Sequence, residues 1–310
     1  MTPADLSQVA KQAAHEVGFE HCGITDLQPS RTADALDRWL AKAYHGDMSY
    51  MARQATIRRE PNRAWPKARS VVVVLHNYYS VARQHAGQYR SAGYAQGYDY
   101  HNVTKAKLDQ VGHRLPMASG GGSFRSYVDA GPLPERELAQ RAGLGWMAKN
   151  TMLIHPRLGS FTFIGCLLTD LELEADPPFE ADRCGSCTRC LDACPTDAFP
   201  SPHVLDATRC ISYLTIEAKG DIPSPLRPQV GDNLFGCDIC QDVCPWNQRF
   251  AVETTEPGFR DDPRPWPSLE EILAMDQRAF DQRFGDTALE RAGLEGLQRN
   301  ARVVRENATR

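Results

Sequence analysis

Eight cysteines gathered between Cys184 and Cys244 constrain this chain more than anything else in its sequence. They fall in two runs. The first is Cys184-x2-Cys187-x2-Cys190-x3-Cys194-Pro195. The second is Cys210 and then, after a long interval, Cys237-x2-Cys240-x3-Cys244-Pro245. A tight turn with two residues between cysteines lets successive sulfurs converge while backbone N–H groups point at the same place, and the proline then turns the chain away. A cubane iron–sulfur cluster needs four thiolates at its corners, and in two-cluster ferredoxin modules the fourth cysteine of each run serves the other cluster. That crossover puts Cys184, Cys187, Cys190 and Cys244 on one [4Fe–4S] cluster. Cys194, Cys210, Cys237 and Cys240 go to the second. Paired C-x2-C motifs also build zinc sites, and two zinc ions would use eight cysteines too. The triple run closed by x3-C-P, occurring nearly twice, favours clusters.

A disulfide framework is the other use of so many cysteines, but the N-terminus Met1-Thr2-Pro3-Ala4-Asp5-Leu6 has no export signal. A cytoplasmic location, where thiols stay reduced, is expected. The longest apolar runs, Val71–Leu75 and Phe161–Leu168, are strand-sized and too short to span a membrane. Cys22 and Cys166 lie in apolar contexts and read as small buried hydrophobes. The net charge of −4 argues against indiscriminate nucleic-acid binding and leaves room for a local basic patch. Two clusters mean that electrons pass through, and a free-standing ferredoxin would not need the rest of the 310 residues.

The first part of the chain reads as mixed α/β. Helical periodicity runs over Ala4–Val17 and stops at Gly18; His21–Thr25 and Ser70–Leu75 read as strands, the second buried on both faces. Ala33–Ala43, Asn102–Leu115 and Leu133–Gly143 are helical, Ser80–Asp99 a long surface loop, and Phe124–Asp129 a strand ending in an acid. Pro156-Arg157-Leu158-Gly159 is a turn signal joining Thr151–His155 to Ser160–Thr169 in a hairpin. The acidic stretch Asp170–Asp182 is the clearest linker. Three regions follow: 1–175, the cysteine module 176–250, and a Pro-rich connector with short capped helices at Ser268 and Thr287 over 251–310. The fold class is α+β.

Several long segments in the expected order resemble those of epoxyqueuosine reductases. They are Gly97-Tyr98-Asp99-Tyr100-His101, Asp129-Ala130-Gly131-Pro132-Leu133-Pro134-Glu135-Arg136-Glu137 and Ala142–Thr151. Arg209–Glu217 and Phe235–Asn247 belong to the same set, with a weaker echo at Leu297–Ala301. The resemblance implies a nitroreductase-like cobalamin-binding domain followed by a ferredoxin-like two-cluster domain and a short helical C-terminus. It implies reduction of epoxyqueuosine to queuosine at the tRNA wobble position, cobalamin with no protein histidine on cobalt, clusters that feed electrons to the cobalt, and a carboxylic acid that protonates the substrate oxygen.

Asp129 matches the position of that acid. Epoxide opening leaves an alkoxide, and a positioned acid avoids that charge; its pKa must then be raised, mainly by desolvation in a walled pocket. Tyr100, His101, Trp146, Lys149, Asn150, Ser160, Ser212, Tyr213 and Thr215 fall in or beside the matching segments and are candidates to line the cofactor. Arg58 and Arg59, in a basic stretch with Arg53, Arg63, Lys67 and Arg69, and Arg299 and Arg302, near Arg305 and Arg310, are candidates for RNA phosphates. The expected partners are tRNA bearing epoxyqueuosine and a low-potential donor such as a flavodoxin or ferredoxin, with a monomeric chain and no membrane. A cobalamin-dependent reductive dehalogenase and a plain electron-transfer subunit are the competing readings. Pro134 stands where a non-proline is expected, and some family members carry a longer C-terminal extension.

Overall fold

In Val71–Val74, four consecutive valines fill two different cores. The computed structural model describes residues 1–81, 89–260 and 264–309. Its central sheet is antiparallel, in the order β1 (His21–Thr25), β2 (Ser70–Asn77), β7 (Thr162–Thr169), β4 (Phe124–Val128). Strand side chains alternate between faces. Val72 and Val74 therefore join Leu6, Leu108, Val111 and Leu167 under the Pro3–Glu16 and Tyr100–Ser119 helices. Val71, Val73 and Leu75 join Leu138, Ala139 and Leu168 under the Glu135–Arg141 helix.

The expected hairpin does not form. The short strand β6 (Leu153–Ile154) pairs back with β5 (Trp146–Met147), and only a single bridge, His155 to Gly159, closes the turn before β7. Period and turn chemistry point to the bend, but β7 is already paired on both sides, by β2 and β4. Of the supposed surface loop, 82–88 lies outside the described residues; the remainder packs as a wall, with Tyr89, Ala92 and Ala95 buried.

The stretch after β7 runs without regular structure along the free edge of β1, where Asp176 accepts the Ile24 N–H at 2.8 Å and its own N–H reaches Ile24 O at 2.9 Å. Farther on, β3 (Arg90–Ser91) pairs in parallel with β8 (Asn233–Phe235), so the segment between Cys210 and Cys237 is stitched to the N-terminal half. Residues 251–310 are also no separate appendage. Ser268 closes a capping box with Glu271, and a helix at Gly293–Ala308 places Leu297, Ala301 and Val304 in the same core as Leu6. Among the described residues no helix is long and apolar enough to cross a membrane.

Glu256 fastens this last region to the sheet. Its carboxylate sits 3.4 Å from the buried His76 Nε2 and against Lys107 Nζ. The His76 contact foremost, then Lys107 and the Gly258 N–H, overcome the cost of burial and hold its pKa down to about 2. A depressed carboxylate stabilises the fold above its ordinary range, and that contribution is lost as pH falls through the folded value. Glu256→Gln is therefore expected to cost about 2 kcal/mol at neutral pH in urea unfolding, and the deficit should narrow between about pH 5 and pH 2.

Candidate active site

Asp129 follows the last residue of β4 at a sharp reversal. It adopts the left-handed conformation at φ 55°, and Gly131 packs so closely under Tyr127 that a Cβ there would lie 2.5 Å from the ring. The opposing groups come from the start of the Tyr100–Ser119 helix. Tyr100 Oη donates to Asp129 Oδ2 at 2.6 Å, and His101 Nε2 stands 3.8 Å from the same oxygen. Asp99 caps the helix through the His101 N–H at 2.9 Å and holds His101 Nδ1 at 2.7 Å. The Tyr100 ring lies flat on Phe163 at 4.1 Å, which fixes the hydroxyl. Two successive residues are thus aimed at one carboxyl, with Asp99 bracing the second.

Burial alone would lower the His101 pKa, but the hydrogen bond and charge of Asp99, joined by Asp129, raise it above its ordinary value. Burial and then the Asp129 charge push the Tyr100 phenol far up, so it stays a donor. The Asp129 side chain itself is 67 % exposed. Beside it stands Glu135, the first residue of the next helix. Burial, followed by the Asp129 charge, raises Glu135 to about 8, and its Oε1 accepts the Asp129 N–H at 2.9 Å.

Around this centre lies a polar rim that the sequence reading missed. Tyr50, Tyr94 and Arg291 all lie within electrostatic reach of Asp129. Arg291 makes a two-pronged pair with Glu217 at 2.9 Å and 2.9 Å. Glu217 ends the Arg209–Glu217 segment after Cys210, so the insertion between cluster ligands reaches the Asp129 site through Arg291. Tyr50 and Arg291 come from stretches with no motif, so no local signal could have found them.

The cysteines gather in the two predicted groups. The charges acting on Cys190 are those of Cys184, Cys244 and Cys187; those acting on Cys237 include Cys210 and Cys194, and Cys240 feels Cys237 and Cys210. Burial pushes the Cys237 thiol up to about 12 and raises the Cys240 thiol well above its ordinary value. Backbone N–H groups of Ser212 and Tyr213 point at the Cys210 sulfur, and those of Trp246 and Asn247 at Cys244. Among the described residues no three His, Cys, Asp or Glu side chains close on a single metal ion. The cysteines are grouped more loosely, as ligands at the corners of a cube are.

Most of the candidate cofactor-lining residues make contacts to or within this module. Trp146, 1 % exposed, donates its indole N–H to Cys184 Sγ at 3.4 Å. Lys149 Nζ spans Gly185 O and Cys187 O at 2.6 and 3.0 Å, and buried Asn150 reaches Cys240 O at 3.4 Å. Ser160 is locked inside with Gln241 and Asn247 at 2.8 and 2.9 Å. Buried Thr215 accepts the Gly236 N–H at 2.9 Å, and the Tyr213 hydroxyl is held by Asp47. Ser212 stays half-buried beside Cys210. The module meets the N-terminal half at Asp238, whose carboxylate takes the Gly93 N–H at 2.7 Å, next to Tyr94.

The basic candidates divide. Arg299 is a correction: it is 9 % exposed and spends its guanidinium on Leu214 O, Ala218 O and Gly220 O, each at 2.7 Å. Arg58 turns inward to Leu133 O and Gly131 O, and Arg59 pairs with Asp37. Arg53, Lys67 and Arg302 remain exposed, while Arg310 lies outside the described residues.

Two family models match the chain. Residues 58–130 match one described as Epoxyqueuosine reductase QueG, and 183–247 match a 4Fe-4S double cluster binding domain. An epoxyqueuosine reductase of Leadbetterella byssophila is 42 % identical, with 97 % of this chain and 99 % of that protein covered. A crystal structure of epoxyqueuosine reductase with an epoxyqueuosine-modified tRNA-Tyr stem loop superposes with a TM-score of 0.87 at 32 % identity, covering 99 % of this chain and 82 % of that one. A structure of the Bacillus subtilis enzyme, described with its catalytic aspartate loop swung out of the active site, gives a TM-score of 0.85 at 32 % identity, covering 99 % and 82 %.

Proposed function

Because the chain belongs to the epoxyqueuosine reductase family, we propose that Asp129 is the proton donor in the reduction of epoxyqueuosine to queuosine in tRNA. The observation that carries this reading is the convergence of Tyr100, His101 and Glu135 on Asp129 at the open end of β4. Reductive removal of an epoxide oxygen consumes two electrons and two protons, releases water and leaves an alkene. The chain's own task is the proton and the orientation. Tyr100 and His101 hold the Asp129 carboxyl in place, and its proton goes to the oxygen as the C–O bond breaks, so no free alkoxide forms.

The donor sets fit two [4Fe–4S] clusters, because buried thiols packed against one another need a multiply charged partner to ionise. Cys184, Cys187, Cys190 and Cys244 would hold one and Cys194, Cys210, Cys237 and Cys240 the other. The first set is bordered by exposed Arg183, Ser186 and Arg189, which suits entry of electrons from a flavodoxin- or ferredoxin-like donor, and the second by the catalytic half. The residues around Asp129 also fit cobalamin: Tyr50, Tyr94 and Arg291 would offer polar partners for the amide arms of the corrin. When bound, the corrin supplies cobalt of low valence that carries electrons to the substrate. The tRNA backbone is met by exposed Arg53 and Lys67 and by Arg302, and such a substrate places the work in the cytoplasm.

The test is anaerobic purification with cobalamin and a low-potential reductant, followed by mass analysis of an epoxyqueuosine-bearing tRNA stem loop. Conversion to queuosine is expected. Cobalamin binding with an untouched epoxide would overturn the assignment of substrate.

A further inference from the structure

The turn from β4 to the Glu135–Arg141 helix begins with an L residue, Asp129, in the left-handed conformation that ordinary side chains avoid. Its own hydrogen bonding is meagre: the Ala130 N–H folds back on Val128 O at 2.5 Å. Two side chains from outside the turn brace it. Glu135 Oε1 accepts the Asp129 N–H at 2.9 Å. Arg58, from the Ala55–Arg59 helix, donates to Leu133 O at 2.9 Å and reaches Gly131 O at 3.4 Å. Pro134, immediately before Glu135, limits the backbone from which that carboxyl reaches back.

A glutamate at the first residue of a helix ordinarily faces solvent and the helix's own N–H groups. Glu135 instead reaches out of its helix, with Arg58, Arg136 and Asp129 acting on it electrostatically. Burying an ionisable group beside another carboxylate is unfavourable unless it makes a specific bond. The bond it makes is to the backbone of Asp129.

We infer that Glu135 is a positioning residue: by holding the Asp129 N–H, with Arg58 bracing the far side of the turn, it sets where the Asp129 carboxyl stands relative to Tyr100 and the reacting oxygen. This rests on the reading of Asp129 as proton donor. Glu135 itself touches no substrate. It acts through the backbone, so what matters is an oxygen acceptor at the right reach, and its negative charge is secondary.

Three variants separate reach from charge. Glu135→Ala removes the acceptor, Glu135→Asp keeps the charge but withdraws the oxygen by one methylene, and Glu135→Gln keeps the oxygen and loses the charge. In the cluster- and cobalamin-loaded protein, Ala and Asp are expected to lower kcat on the stem loop roughly 10- to 100-fold with KM little changed, as a small misplacement of a reacting group does. Gln should stay within about threefold of the parent, because the amide oxygen still reaches the N–H. Amide hydrogen exchange at Asp129 should quicken in Ala and Asp and stay slow in Gln, with thermal melting confirming that each variant is folded. If Ala does not fold, the contrast of Asp with Gln still decides. Parent-like kcat in Glu135→Asp, unchanged exchange at Asp129, or a Gln variant as slow as Asp would each overturn the inference. Asp129→Asn is run beside them: full activity there would sink the reading of Asp129 itself, whatever Glu135 does.

Discussion

Asp129→Asn should stop turnover of epoxyqueuosine-bearing tRNA while leaving the protein folded and its clusters in place. The amide is the same size and can still meet Tyr100, but it has no proton to give. General acid catalysis contributes about 10²- to 10⁴-fold, and epoxide opening without it expels an alkoxide, so the loss should lie near the upper end. Because the side chain is 67 % exposed and ends a strand at the surface, its replacement removes no packing. Melting temperature, iron content and cobalamin binding should therefore match the parent. Single-turnover mass analysis of the stem loop reads the result, and conversion at a tenth of the parent rate or better would exclude Asp129 as the proton donor.

Cys194→Ala should abolish activity by a different route, and it carries the sharper structural prediction. In sequence Cys194 closes the first run, yet its neighbours in space are Cys210 and Cys237. Its loss should empty the cluster built with the second run and leave the one on Cys184, Cys187, Cys190 and Cys244. Iron should fall from about eight to about four per chain, with one cluster's paramagnetic signal retained. Cys244→Ala should do the converse, removing the signal that Cys194→Ala keeps. If both variants lost the same signal, the crossover would be wrong.

Much of the frame was legible because local chemistry and tertiary structure agree. β1 occupies the predicted five residues, and Asp99 as cap and Gly120 at φ 80° extend the Asn102–Leu115 helix to Tyr100–Ser119. The cysteine spacing alone points to the two groups that the structure brings together. Asp129, Tyr100 and His101 were reached through resemblance, and the structure brings them together. What could not be read was direction. Trp146, Lys149 and Asn150 sit in a motif that says they matter, but only the fold shows them turned to the cysteine loops. Arg299 looks like any basic residue on a C-terminal helix. The three carbonyls that consume it belong to the Ile211–Ile216 helix and the loop after it, some eighty residues earlier, at Leu214, Ala218 and Gly220. Glu135 lay inside a quoted segment, yet its reach back to Asp129 depends on a turn whose backbone no composition rule specifies.

The pairing of β2 with β7 has a consequence for how the chain is made. Ser70 lies opposite Thr169, and Val73 opposite Cys166, so β2 finds this partner only after most of the catalytic half has left the ribosome. Until then β2 is a valine-rich ribbon with one open edge and two faces unable to choose a side. Segments of that kind are the ones that pair with a neighbouring chain. Contacts so distant in sequence also form slowly. The yield of soluble protein should thus be governed by how long this ribbon waits, long before iron or corrin is in question.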